Sequence, residues 1–116
     1  MQIHLSPRHL RLTAAIHRHT ADKVLQLEEL TDQIVAAHVV LMREAGRNRG
    51  KLFRVKVHLA LSGQDIHADD SDADLHAALD KVTAKLARQL RKRHTAMIDK
   101  RRQTKQRARE KARRGL

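Results

Sequence analysis

The 116-residue chain contains no cysteine, which excludes disulfides and thiolate metal sites. It has no Tyr or Trp, and its single Phe, Phe53, falls in an apolar run where a core role is expected. Modules that grip single strands by stacking bases need aromatic platforms. Any nucleic acid held here is therefore expected to be held through phosphates and backbone shape. Pro7 is the one proline, and glycines number four. No stretch nears transmembrane length, and MQIHLSPRHLRLTAAIHRH, the opening segment, lacks a continuous apolar run. A cytoplasmic protein with no membrane partner is expected. Acid is also missing where base is dense, since no Asp or Glu stands between Lys81 and Asp99.

The net charge is +12, and its distribution is one-sided. Residues 1–80 hold ten Lys and Arg against eleven Asp and Glu, whereas residues 81–116 hold fifteen against two. A basic segment of this kind is the electrostatic footprint of a polyanion partner, nucleic acid first. The bland alternative is a solvated basic face or a solubility tail.

Hydrophobic spacing gives the element order. QIHLS (2–6) alternates as a short strand, which Pro7 is expected to end. Thr13 is placed to cap a helix over 14–30, with Ile16, Thr20, Val24, Leu27 and Leu30 on one side. IVAAHVVLMR (34–43) is apolar on both faces and β-branched, as a central strand is. EAGRNRGK (44–51) reads as a turn. In LFRVKVHLAL (52–61), Phe53, Val55, Val57, Leu59 and Leu61 alternate with Arg54, Lys56 and His58. Ser62-Gly63 signals a hairpin into QDIHAD. A two-residue turn there sets Leu59 opposite Ile66, His58 opposite His67 and Lys56 opposite Asp69, keeping the apolar faces together. DDSDAD (69–74) is expected to precede the last helix, with Ser71 or Asp72 capping it. The order β-α-β-β-β-α predicts an α+β two-layer domain over 1–94, a four-stranded mixed sheet with two helices on one face. Residues 95–116 are basic and low in large apolar side chains, and are expected to form a flexible tail.

The last helix divides by side. Leu75, Leu79, Val82, Leu86 and Leu90 gather on one flank, and Lys81, Lys85, Arg88 and Lys92 form a stripe about a third of a turn away. Cations near a helix C-terminus are favoured in general, but that accounts for a few charges and not for the whole run. Arg93 returns to the apolar side, so packing is expected to stop near it.

Nine histidines raise the question of a metal. His4, His38, His58 and His67 can each lie on the open side of a different strand, but open faces rarely converge the three or four ligands a zinc site needs. No metal or other cofactor is expected. A polar face, or one that meets RNA and charges as pH falls, fits better. No nucleophile–base pair and no glycine-rich phosphate loop is legible, so neither an enzyme nor a small-molecule substrate is expected.

The chain resembles the ribosome hibernation-promoting factor and ribosome-associated inhibitor family in its short form. The resemblance covers about residues 1–94 and rests on LRLTAAI, ADKVLQLEEL, HVVL and, above all, GQDIHADDSDADLHAALDKVTAKLARQLRKRH, where IHA, DLHAALD and KLARQL sit at the family's spacing. It implies a fold like that of double-stranded RNA-binding domains. It implies binding to the small ribosomal subunit's rRNA near the decoding centre, where messenger and tRNA would lie. Translation is blocked in quiescent cells, and the implication extends to pairing of ribosomes into inactive dimers. Lys23, Lys85, Arg88 and Lys92 match the family's cationic positions, and Lys81 and Arg91 extend the patch. Arg8, Arg11, Arg18, Arg93, Arg101 and Arg102 are further candidate RNA contacts. A monomer is expected for the free protein. The sequence departs from the family at Gln26, where relatives often carry lysine, at His76, where tyrosine is usual, and in the acidity of DDSD. A general binder of structured RNA or DNA remains the other reading.

Overall fold

The computed structural model describes residues 1–44 and 52–114, the side chains of 95–101, 110 and 112–114 excepted. The turn expected over 44–51 lies, Glu44 apart, outside the described residues. The elements are β1 (Gln2–Arg8), α1 (Ala14–Leu25), β2 (Ile34–Arg43), β3 (Phe53–Leu61), β4 (Ile66–Asp72) and α2 (Leu75–Arg114), with a 3₁₀ turn over Gln26–Glu29 after α1. The strands form one sheet in the order β1-β2-β3-β4. β1 runs parallel to β2, and the other neighbours are antiparallel. The expected α+β layout with both helices on one face is the observed one.

The core lies between that face and the helices. Ala37, Val39 and Leu41 of β2 and Val55, Val57, Leu59 and Leu61 of β3 are buried. Val24 and Leu27 from the α1 side cover them, as do Leu75, Ala78, Leu79, Val82, Leu86 and Leu90 of α2. Thr13 caps α1 as its position foretold, its hydroxyl accepting from the Ile16 N–H at 3.2 Å. The helix tightens to 3₁₀ geometry after Leu25, as helix ends often do.

Two boundaries differ from the sequence expectation. β1 continues through Pro7, which pairs in register with Leu41. β1 is an edge strand, where alternate backbone N–H groups face away from the sheet and a proline can be accommodated. β4 runs to Asp72, so Asp69, Asp70, Ser71 and Asp72 are strand residues and not a helix approach. The hairpin register is the expected one, with Leu59↔Ile66, His58↔His67 and Lys56↔Asp69. The turn itself is wider than two residues, because Asp65 closes it. One Asp65 carboxylate oxygen accepts the Leu61 N–H at 3.0 Å and the other meets His58 Nε2 at 2.9 Å.

α2 is helical through Arg114. Leu90 is its last buried residue among those described. His76 meets His19 of α1 edge to face, with ring centroids 4.4 Å apart.

Candidate nucleic-acid interface

The basic flank of α2 is divided between two tasks. Lys81 Nζ donates to the Ser71 carbonyl (3.3 Å), Lys85 Nζ to that of Asp69 (3.0 Å) and Gln89 Nε2 to that of His67 (3.1 Å). Arg93 completes the series by donating to the carbonyls of Gln64 and Ser62. These donors recur every fourth residue, and the acceptors on β4 recur every second. The match is geometric: four helical residues rise about 6 Å and two strand residues about 6.7 Å. At 3.6 residues per turn the donor row also drifts toward the apolar flank with each step. That drift is why Arg93, the last donor, sits beside the core and caps the hairpin.

An edge strand exposes unpaired carbonyls that invite another strand, and covering them blunts that hazard. α2 therefore closes the β4 edge while it packs on the sheet. Gly63 fits this closure. Its φ is +100°, and a side chain there would lie 2.8 Å from the Arg93 guanidinium.

The acids of β4 answer the same lysines. Lys81 Nζ lies 2.7 Å from Asp72 Oδ2 and Lys85 Nζ 3.1 Å from Asp70 Oδ2. Asp70 is held below the ordinary carboxylate range, first by the Ser71 N–H and then by the Lys85 ammonium. Asp72 is lowered by the Lys81 ammonium first and the Asp74 N–H second, and Lys81 is raised by Asp72 in turn. A carboxylate depressed in the folded state contributes stability above its unfolded value, about 3.9, and loses it as pH falls through the lower folded value. Thermal melts from about pH 5 to about pH 2 should therefore show a progressive loss in this protein. The Asp70→Asn, Asp72→Asn chain should start lower at neutral pH and respond less across that window.

Lys23, the candidate on α1, lies 3.3 Å from Asp80 of α2 and ties the helices together. Arg88 and Lys92 remain. Both are exposed, and neither has a carboxylate within ion-pair reach among the described residues. Arg91, exposed beside them, turns the same way around the helix. Lys92 also stands on the rim of a shallow groove formed with Gln64, Ile66, His67 and Gln89. Arg11 and Arg18 are exposed ahead of and on α1. Arg8 lies in register with Met42, which pairs with Arg54, so it belongs to the opposite face of the sheet. Arg102 is exposed on the distal part of α2, and the Arg101 side chain lies outside the described residues. The structure thus leaves Arg88 and Lys92 outward without an ion-pair partner among the described residues, with Arg91 exposed beside them, while Lys23, Lys81, Lys85 and Arg93 face intramolecular partners. Sequence reasoning missed those partners, because each lies on another element: Asp72 and Asp70 on β4 for Lys81 and Lys85, Asp80 on α2 for Lys23, and the hairpin carbonyls for Arg93.

Among the described residues no three His, Asp or Glu side chains converge as metal ligands, and no helix is long and apolar enough to cross a membrane.

Comparison with known proteins agrees with this architecture. Residues 3–98 match the family model described as sigma 54 modulation protein / S30EA ribosomal protein. The chain is 38% identical over 102 residues to the ribosome hibernation promotion factor of Deinococcus radiodurans, covering 87% of this chain and 53% of that protein. It thus spans about half the length of that relative. It is 32% identical over 92 residues to the ribosome hibernation promoting factor of Escherichia coli K12, covering 79% of this chain and 92% of the other. Among solved structures, the N-terminal domain of Thermus thermophilus Protein Y superposes with a TM-score of 0.68 at 30% identity, covering 79% of this chain and 98% of that one. A ribosomal subunit interface protein from Coxiella burnetii shares the fold, with a TM-score of 0.68 at 23% identity, covering 82% of this chain and 99% of that one.

Proposed function

Because the chain belongs to the sigma 54 modulation protein / S30EA ribosomal protein family, we propose that it is a ribosome-associated, non-enzymatic inhibitor of translation. It binds the rRNA of the small subunit in the region of messenger and tRNA and holds ribosomes inactive in quiescent cells. The observation that carries this reading is the outward placement of Arg88 and Lys92, with Arg91 exposed beside them, on a helix whose other flank is locked to the sheet. A rigid helix presents these cations without loop ordering, and each phosphate they neutralise releases counterions. Lys81, Lys85 and Lys23 contribute to the field of the same surface from within their ion pairs. Exposed pairs of this kind are weak enough for a phosphate to compete with the carboxylate. Residues 1–94 form the binding domain. The basic segment 95–116, with Arg101 and Arg102, adds rRNA contacts, and Arg11 and Arg18 lie within reach of a broad RNA surface. The free protein is a monomer, located in the cytoplasm on ribosomes, and the pairing of ribosomes into inactive dimers follows from this occupancy.

Phosphate contacts carry no sequence information by themselves, so a general duplex binder would share this surface. Sedimentation with purified ribosomal subunits across a salt series, with excess naked duplex RNA as competitor, separates the two. The protein is expected to stay on small subunits in the presence of competitor, with affinity falling linearly on a log–log salt plot. Loss to the competitor would leave only the general reading.

A further inference from the structure

The sheet face turned away from the helices carries a row of four histidines. His4 of β1 pairs in register with His38 of β2, His38 with His58 of β3, and His58 with His67 of β4. All four are exposed. Their ring centroids are 4.9, 6.4 and 6.5 Å apart in sequence across the sheet, and the first and last pairs are nearly parallel, at 12° and 6°. The His4–His38 separation is close to the roughly 4.8 Å between neighbouring strands. The His4 and His38 rings, stacked at that spacing, turn their nitrogen-bearing edges rather than their flat faces to solvent, while His38 and His58 are tilted by 58°. Each neutral ring carries one N–H donor, and a second when protonated, although His58 Nε2 is already engaged by Asp65.

The fixed charges on this face are few. Arg8 and Lys56 have no acidic partner among the described residues. Arg54 lies 3.6 Å from Glu44 and 3.5 Å from Asp69, and Asp65 faces His58. Among the described residues, three cations and three acids therefore balance on this face while the imidazoles are neutral. Imidazole is the side chain that gains charge between about pH 8 and pH 5. Each proton gained leaves the face more positive, and like charges directly opposite on neighbouring strands repel. A chain of anions laid across the strands relieves that repulsion and so prefers the charged row. Asp65, kept below the usual carboxylate range by the Leu61 N–H first and His58 second, stays ionised throughout and lies 2.9 Å from His58 Nε2. Val40 and Met42, half-buried on the same face, give sugars and base edges an apolar bed.

We propose that this open face is a second RNA-binding surface, gripping the phosphates of one RNA strand through the four-histidine row with Arg8 and Lys56 and tightening as the solution acidifies. It goes beyond the helical surface and does not depend on the ribosome as target.

The test uses the full chain carrying Arg88→Glu and Lys92→Glu, which weakens the helical surface, and a labelled single-stranded RNA oligonucleotide followed by fluorescence anisotropy at about pH 8 and about pH 6. Affinity is expected to rise about tenfold or more on acidification, the equivalent of gaining one charge-assisted hydrogen bond. Adding His38→Gln and His58→Gln should remove most of that rise. If that chain no longer melts cooperatively, His4→Gln with His67→Gln at the two ends of the row replaces it, with the same expectation. An undiminished rise in the histidine variant would mean that the row does not carry the response and would overturn the proposal. So would an equal gain for polyglutamate, which would make the face a general anion surface. Subunit co-sedimentation at about pH 8 reads the ribosome assignment separately, so either can fail alone.

Discussion

Reversing Arg88 and Lys92 together to glutamate is expected to weaken binding to small subunits by about a hundredfold while leaving the melting temperature nearly unchanged. A charge-assisted hydrogen bond contributes about 1.5–3 kcal/mol, and every 1.4 kcal/mol is tenfold in affinity, so two lost contacts reach that figure. The salt dependence should become shallower by about one log unit per lost phosphate contact. Stability should hold because both side chains are exposed and unpaired among the described residues. Replacing Lys81 and Lys85 by methionine should do the opposite. It strips two donors and two ion pairs from the β4 edge, so the melt falls, while subunit affinity drops by less than in the double reversal. Equal affinity losses from the two pairs would mean that the intramolecular partners of Lys81 and Lys85 do not matter on the ribosome. No loss from Arg88→Glu with Lys92→Glu, in sedimentation or in translation in vitro, would remove the proposed site.

The fold was legible where neighbours in sequence are neighbours in space. The β3–β4 register followed from one hairpin, whose expected alignment keeps Leu59 and Ile66 together on the buried side. The buried flank of α2 followed from periodicity alone. The misses share a cause, since each depends on what lies across the chain. Asp is poorly represented in strands, and DDSD reads as a helix approach until Lys81 and Lys85 are seen to meet Asp72 and Asp70 across the edge. Pro7 reads as a strand end until β1 is known to be an edge. The cationic stripe was visible, but its division was not. Positions 81 and 88 lie close in angle on the helix, and only the placement of β4 assigns one inward and the other outward. Similarly, the His58–His67 pair follows from the hairpin. The full row of four depends on the β1–β2 and β2–β3 registers, the latter shifted by an irregularity between Ile34 and Ala36.

Leu86→Ala should give the converse phenotype, a large loss of stability with the RNA surface intact. Leu86 is fully buried in the core between α2 and the sheet, two residues from Arg88 on the same helix. Truncating a buried leucine removes its transfer energy and leaves a cavity, at a cost of about 2–5 kcal/mol. A domain of this size has about 5–15 kcal/mol in total, and each kcal/mol moves the melting temperature by roughly 4–8 °C. A drop of about 10 °C or more is therefore expected by calorimetry. Below its transition the folded fraction should still bind subunits with the wild-type salt slope, because the number of phosphates contacted is set by the outward side chains and not by the core. The two variants together test whether one helix carries two separable jobs. If Leu86→Ala flattened the salt slope as Arg88→Glu with Lys92→Glu is expected to, the cations would depend on core packing for their placement, and the rigid-helix account of the surface would have to be abandoned.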